Sequence, residues 1–210
     1  MKPFAGLKSF KRVLCLGAHS DDIEIGAGGT LLRLQAESPD VAVRWVCFSG
    51  RGTPRESEAV GSAAAFCQGR ASVVVYGCHD TTFPSQTADI KALFSELKSF
   101  DPDLVLTHSA DDRHQDHRVI NELTWNAFRA HQIWEYEIPK WDGDLQRPNL
   151  YVPVGAEVMT RKVQLLLEHF GTQRSKHWFD EETFRALARL RGLECNSRYA
   201  EAFVSRKLVV

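Results

Sequence analysis

Short apolar runs, several rich in β-branched residues, alternate along this chain with longer segments whose apolar positions recur at helical spacing. The runs at 12–17, 42–48, 72–76 and 104–107 read as strands, and 150–153 as a weaker fifth. The segments at 28–37, 54–67, 87–100, 116–131 and 156–170 read as helices. Pro54 suits a first helical turn, where its missing N–H costs nothing, and Gly69 and Gly171 stand where helices commonly stop. Strands alternating with helices in this way build βαβ units around a mostly parallel sheet, so the expected fold class is doubly wound α/β. The stretch 135–149 is rich in Pro, Gly, Trp and charge and keeps neither period, so it reads as a long loop bordering a site.

With 210 residues the chain is expected to form one domain, 1–210, with a substantial core. Its 26 basic and 27 acidic side chains nearly cancel, so no global field draws it to nucleic acid or an anionic membrane. A small-molecule partner is expected instead. Five cysteines, odd in number and widely spread, read as reduced core residues rather than a disulfide framework. The apolar run Val13-Leu14-Cys15-Leu16 is too short for a signal segment, and no stretch reaches the roughly twenty apolar residues of a membrane span. A cytoplasmic protein is therefore expected.

Candidate chemistry gathers in two segments about ninety residues apart, Ala18-His19-Ser20-Asp21-Asp22 and His114-Gln115-Asp116-His117. Each follows a predicted strand, and in open α/β sheets the carboxyl ends of strands are where ligands bind. His19 and Asp22 lie three residues apart, close enough for one turn to aim both at one ion. Nitrogen and carboxylate donors suit zinc, although iron or cobalt also fits such a set, and a catalytic zinc takes three protein ligands and leaves a position open. His117 is the expected third ligand. Asp21 is placed to act as general base, His114 to stabilise an oxyanion or protonate a leaving amine, and Asp116 to orient His114 and keep it cationic. Asp111 or Asp112 would cap the helix that follows. The other histidines, His79, His108, His131, His169 and His177, read as core or surface residues, His108 least clearly because it ends a strand. Gly26-Ala27-Gly28-Gly29-Thr30 does not fit a dinucleotide or Walker loop and is expected to allow close packing of the metal loop against the next helix.

Ala18-His19-Ser20-Asp21-Asp22-Ile23-Glu24 resembles the A-H-P-D-D-E signature, and Arg113-His114-Gln115-Asp116-His117 the H-P-D-H signature, of the PIG-L/LmbE-like zinc-dependent N-acetylglucosaminyl deacetylases. The resemblance continues through Ser49-Gly50-Arg51-Gly52 with Arg55 and Glu58, Lys162 to Thr172-Gln173, and Ala200-Glu201-Ala202-Phe203. Ser20 and Gln115 replace prolines and Ile23 is interposed before Glu24, but no proposed ligand or acid/base group is lost. The resemblance implies a Rossmann-like fold, zinc on His19, Asp22 and His117, Asp21 as base, and His114 with Asp116 as acid and oxyanion partner. It implies removal of an N-acetyl group from an N-acetylglucosamine-type sugar, free, glycosidic or nucleotide-linked, and a homo-oligomer is expected on the same ground. The alternatives are hydrolysis of another small amide and a non-catalytic metal-containing binding protein. Arg51 and Arg55 are expected to engage the substrate through bidentate bonds, and Trp141 to cover a sugar ring.

Overall fold

The computed structural model describes residues 6–208, so positions 1–5 and 209–210 of the expected 1–210 domain lie outside the described residues. Five strands come in the first part of the chain: β1 (Arg12–Gly17), β2 (Ala42–Ser49), β3 (Ala71–Cys78), β4 (Leu104–His108) and β5 (Gln132–Tyr136). Between them run the helices α1 (Asp22–Glu37), α2 (Pro54–Phe66), α3 (Thr87–Leu97) and α4 (Gln115–Ala127). The chain then forms β6 (Leu150–Val154), α5 (Ala156–His169), α6 (Glu181–Glu194) and β7 (Tyr199–Val204). All seven strands join one sheet in the order β3-β2-β1-β4-β5-β7-β6. The first five pair in parallel, while β7 runs antiparallel between β5 and β6. This is a single-domain α/β fold with a mostly parallel sheet.

Burial on both faces explains why β1 reads as an unbroken apolar run. Val13 and Cys15 join a core under α1, α2 and α5, while Leu14 and Leu16 join the opposite core under α3 and α4. The strand order reverses between β1 and β4, so the chain leaves these two adjacent ends in opposite directions and opens a crevice there. Both sequence motifs sit at that crevice.

Several boundaries differ from the sequence reading. α1 begins at Asp22 rather than near 28, so the glycine-rich stretch lies inside the helix and not in a loop before it. Glycine is a poor helix former, but here it permits close approach: a Cβ on Gly26 would lie 2.3 Å from Cδ2 of Tyr136. The backbone of the helix also takes partners from outside at this point. Gly29 and Thr30 donate their N–H groups to Glu201 at 2.7 and 2.6 Å, and Lys162 Nζ donates to Ile25 O at 2.7 Å and to Glu201 at 2.6 Å. A buried ion pair from α5 and β7 thus ties the backbone of α1 to the sheet. β5, α6 and β7 escape the sequence reading, and the segment read as a loop from 135 is still strand through Tyr136. Glu135 in β5 and Glu201 in β7 interrupt the apolar pattern yet are buried, because distant partners satisfy them: Trp125 Nε1 donates to Glu135 at 2.7 Å, and Lys162 pairs with Glu201. α6 carried a legible start, since Asp180 accepts from Thr183 N at 2.7 Å ahead of two acidic first-turn residues. All five cysteines are free, and among the described residues no helix is long and apolar enough to cross a membrane.

Candidate active site

Where β1 ends, the backbone is held for an abrupt entry into α1. Asp22 Oδ2 accepts from His19 N at 2.6 Å, and Ala18 N donates to Nε2 of His108 at 3.0 Å. Tyr136 donates its hydroxyl to Leu16 O at 2.6 Å and so braces the strand end from below. At the neighbouring end, β4 finishes on His108 and the following loop turns on Asp112, whose Oδ1 accepts from His114 N at 2.8 Å. The cap of α4 is His114 and not Asp111 or Asp112: its Nδ1 accepts from Asp116 N at 3.3 Å. The first turn of α4 then carries Asp116 and His117 into the crevice.

His19, Asp22 and His117 converge there. His19 Nδ1 lies 3.2 Å from His117 Nε2 and 3.4 Å from Asp22 Oδ2, and His117 Nε2 lies 3.5 Å from Asp22 Oδ1. Around a tetrahedral ion with bonds of about 2.0–2.1 Å, neighbouring ligand atoms stand about 3.3 Å apart; the two nitrogens meet that spacing, and Asp22 faces them with both carboxylate oxygens. The far nitrogen of each ring is backed by carboxylate, as metal-binding imidazoles require for a fixed orientation. His117 Nδ1 lies 2.8 Å from Asp112 Oδ2, and His19 Nε2 lies 2.8 Å from Asp80 Oδ1 and 3.3 Å from Asp116 Oδ2. Burial, with the nearby charge of His108, pushes His117 down to about 3, so its lone pair is available at neutral pH. Burial would raise Asp22, but His117, His108 and His19 hold it well below the usual carboxylate range. Burial likewise disfavours a charged His19, yet Asp22, Asp116 and Asp80 hold it well above its ordinary value. The cluster attracts positive charge.

The remaining predicted residues fall into place unevenly. Asp21 stands at the edge of the centre, with Oδ1 accepting from Arg55 Nη2 at 2.6 Å. Arg55 is therefore not a free substrate contact; its other nitrogen binds Glu58 at 2.9 Å and Thr172 at 3.2 Å. Asp116 does not orient His114. Its carboxylate accepts from Thr81 N at 2.7 Å and Phe83 N at 3.0 Å, tying the loop after β3 to the site. Nor does it keep His114 cationic, because burial and the charge of His19 lower that imidazole. Glu24 is fully buried behind the loop, and burial pushes its carboxyl well above the usual range. Arg51 and Trp141 are exposed along a groove of about 1090 Å³ that runs from His19 and His117 to the segment 172–178.

Four residues of the centre escape sequence reasoning. His108 stacks on His117 with ring centroids 3.8 Å apart, Asp112 and Asp80 stand behind the two imidazoles, and Lys140 reaches Asp112 at 3.0 Å. His108 left a signal by directly ending a strand, and Asp112 was legible only as a helix cap. Asp112→Asn should weaken divalent-metal affinity by about 10–100-fold, because the amide supports the His117 ring less well. Competition with a chromophoric chelator measures this, and an unchanged affinity would show that Asp112 serves the loop alone.

The family model described as GlcNAc-PI de-N-acetylase, PIG-L, matches residues 14–128, more than half of the chain. The chain is 31% identical over 175 residues to the "uncharacterized deacetylase YaiS" of Escherichia coli strain K12, covering 76% of this chain and 90% of that protein. Among solved structures it superposes on N,N'-diacetylchitobiose deacetylase from Pyrococcus horikoshii with a TM-score of 0.76 at 22% identity, covering 95% of this chain and 85% of that one. It also superposes on GalB, the 4-carboxy-2-hydroxymuconate hydratase of Pseudomonas putida KT2440, with a TM-score of 0.77 at 22% identity, covering 95% and 98%. The second likeness shows that this fold carries more than one chemistry, so structural similarity speaks only for the scaffold. The extent of the family match and of the identity to YaiS shows that the chain belongs to the PIG-L family of de-N-acetylases, hydrolytic enzymes that cleave an acetamide.

Proposed function

We propose that this protein is a zinc-dependent hydrolase that removes the N-acetyl group from an N-acetylglucosamine-type sugar, free, glycosidic or nucleotide-linked. The observation that carries the reading is the convergence of His19 Nδ1 and His117 Nε2, 3.2 Å apart, on the two oxygens of Asp22, at 3.4 and 3.5 Å, beside the carboxylate of Asp21 at the head of a groove. His19 Nδ1, Asp22 and His117 Nε2 would hold the ion. A divalent ion there supplies Lewis acidity, acidifying water and polarising the amide carbonyl.

Asp21 takes the proton of the attacking water. Arg55 fixes one oxygen of that carboxylate at 2.6 Å, and among the described residues the other oxygen has no protein hydrogen-bond donor, which leaves it for the water. His114 accepts a backbone N–H on Nδ1, so its neutral ring carries its proton on Nε2. That N–H stabilises the oxyanion, and the proton that Asp21 has taken from the water passes to the leaving nitrogen. Water and amide are thereby converted to acetate and a free amine. Asp116 contributes by holding the loop at Thr81 and Phe83 against His19. Arg51, exposed on the groove, is the cation we assign to the substrate. The free cysteines fit a cytoplasmic setting.

Metal analysis of purified protein, together with acetate release from N-acetylglucosamine, N,N'-diacetylchitobiose and UDP-N-acetylglucosamine, tests the reading. Near-stoichiometric zinc with release from at least one sugar is expected. Zinc without release from any of them would move the assignment to another amide, and no metal uptake would sink the reading.

A further inference from the structure

We propose that Glu58 and Thr172 are positioning residues for proton transfer: they divide the Arg55 guanidinium between two partners, so that it grips one oxygen of Asp21 and leaves the other to the reacting water. This rests on the reading of Asp21 as the base and extends it to residues that meet Asp21 only through Arg55. Three stretches far apart in the sequence supply the parts. Asp21 lies at the head of α1, Arg55 and Glu58 stand one turn apart at the start of α2, and Thr172 belongs to the turn Gly171–Gln173 that follows α5.

An arginine fork matches a carboxylate edge to edge, and left to itself it takes both oxygens in two parallel bonds. Here its two terminal nitrogens go to different partners. Nη2 donates to Asp21 Oδ1 at 2.6 Å, whereas Nη1 donates to Glu58 Oε2 at 2.9 Å and to Thr172 Oγ1 at 3.2 Å. Glu58 is itself fixed at both oxygens: Thr172 N donates to Oε1 at 2.8 Å and the Thr172 hydroxyl to Oε2 at 2.7 Å. Gln173 Nε2 donates to Thr172 Oγ1 at 3.0 Å, so that hydroxyl uses its one proton and both lone pairs inside the cluster. The ring of Phe170 lies under the guanidinium, 5.5 Å from Cζ to the centroid.

The charges keep this division in place. Burial disfavours a charged Arg55, but Asp21 and Glu58 on either side hold it above its ordinary value. The side chains of Arg55, Glu58 and Asp21 are 20%, 11% and 8% exposed, so water competes little for their bonds. Among the described residues Asp21 and Glu58 are the only carboxylates paired with Arg55, and loss of Glu58 therefore leaves the fork free to close on both oxygens of Asp21. Asp21 has to take a proton from water and then pass it to the leaving nitrogen, and both steps need an oxygen that no cation occupies. Glu58 and Thr172 act by keeping that oxygen open.

The test compares Glu58→Ala and Thr172→Val with wild type on the zinc-loaded protein. kcat and KM are measured for the best N-acetylated sugar and, independently of any sugar, for 4-nitrophenyl acetate, an activated ester open to the same water. Zinc content, melting temperature and a crystal structure of Glu58→Ala come from the same preparations. Glu58→Ala should lower kcat by about 10–100-fold on both substrates with KM unchanged, while the protein keeps one equivalent of zinc and Arg55 bonds both oxygens of Asp21. Thr172→Val should lower kcat in the same way by about three- to tenfold, because Glu58 then keeps only the bond from Thr172 N. An unchanged kcat, a loss carried by KM or by missing zinc, or a guanidinium that keeps its single bond to Asp21 in Glu58→Ala would overturn the proposal; should Glu58→Ala fail to fold, Thr172→Val decides. The expected kcat pattern on the ester, with no acetate from any N-acetylated sugar, would support the divided guanidinium and overturn the deacetylase reading. Acetate release that neither variant slows would do the reverse, and a wild type that turns over neither substrate would overturn both.

Discussion

Asp21→Ala should lower acetate release by about 10²–10⁴-fold while the purified protein still binds one equivalent of zinc. Both halves of that outcome follow from the geometry. Asp21 adjoins Asp22 in sequence, but it takes no part in the His19–Asp22–His117 triangle and is instead held by Arg55 at 2.6 Å. Removing it takes away the proposed proton acceptor and none of the three donor atoms. The damage to the fold is limited, because Arg55 keeps Glu58 at 2.9 Å and Thr172 at 3.2 Å. Acetate assay on the best substrate, with zinc content and melting temperature measured on the same preparation, separates the possibilities. A variant with zinc and near-normal kcat would remove Asp21 from the reaction. A variant that is inactive and also empty of zinc would mean that this residue supports the metal centre, not proton transfer.

Glu201→Ala should cost about 3–5 kcal/mol of stability, since it leaves a buried ammonium and two helix N–H groups without their carboxylate. Lys162 and Glu201 are 3% and 5% exposed, so solvent cannot replace the lost partner. At roughly 2–4 °C per kcal/mol for a chain of this size, melting should fall by about 6–20 °C. Lys162→Met combined with Glu201→Leu should recover the part of the loss that comes from the unpaired ammonium, because a paired buried charge is often no more stabilising than well-packed apolar residues, while the N–H groups of Gly29 and Thr30 still lack the carboxylate. Thermal and urea unfolding of the metal-loaded protein measure both variants. A melting temperature unchanged by Glu201→Ala would show that the bonds to Gly29 and Thr30 are not needed to hold α1 against the sheet.

The comparison of Glu201 with Val13 shows where the pattern of a chain is a reliable guide and where it is not. Val13 belongs to an apolar run that any buried parallel strand requires, so β1 is readable from its neighbours alone. Glu201 sits in β7, whose alternation is broken by a charge that only Lys162, 39 residues away, makes tolerable. Glu135 conceals β5 for the same reason, with Trp125 and Arg206 as its partners. The glycines of α1 mislead in the opposite direction. Their propensity argues against helix, and the tight approach of Tyr136 to Gly26 overrides it.

At the site, the two motifs were legible because their spacing is local. Three residues separate His19 from Asp22, and His114 from His117, and one turn of backbone brings each pair into reach. The succession of strands and helices further implied that both motifs end at one edge of a sheet. By itself, then, the sequence determined the α/β class, five of the seven strands, and the donor types gathered at the crevice. The tertiary structure alone decided which carboxylate stands behind each imidazole, that Arg55 holds Asp21 and not substrate, that His114 and not an aspartate caps α4, and that Trp141 meets the segment before α6. The physical reason is common to all of these. They are contacts between side chains on loops that follow different strands, and such loops acquire neighbours only when the sheet has assembled and set their ends side by side.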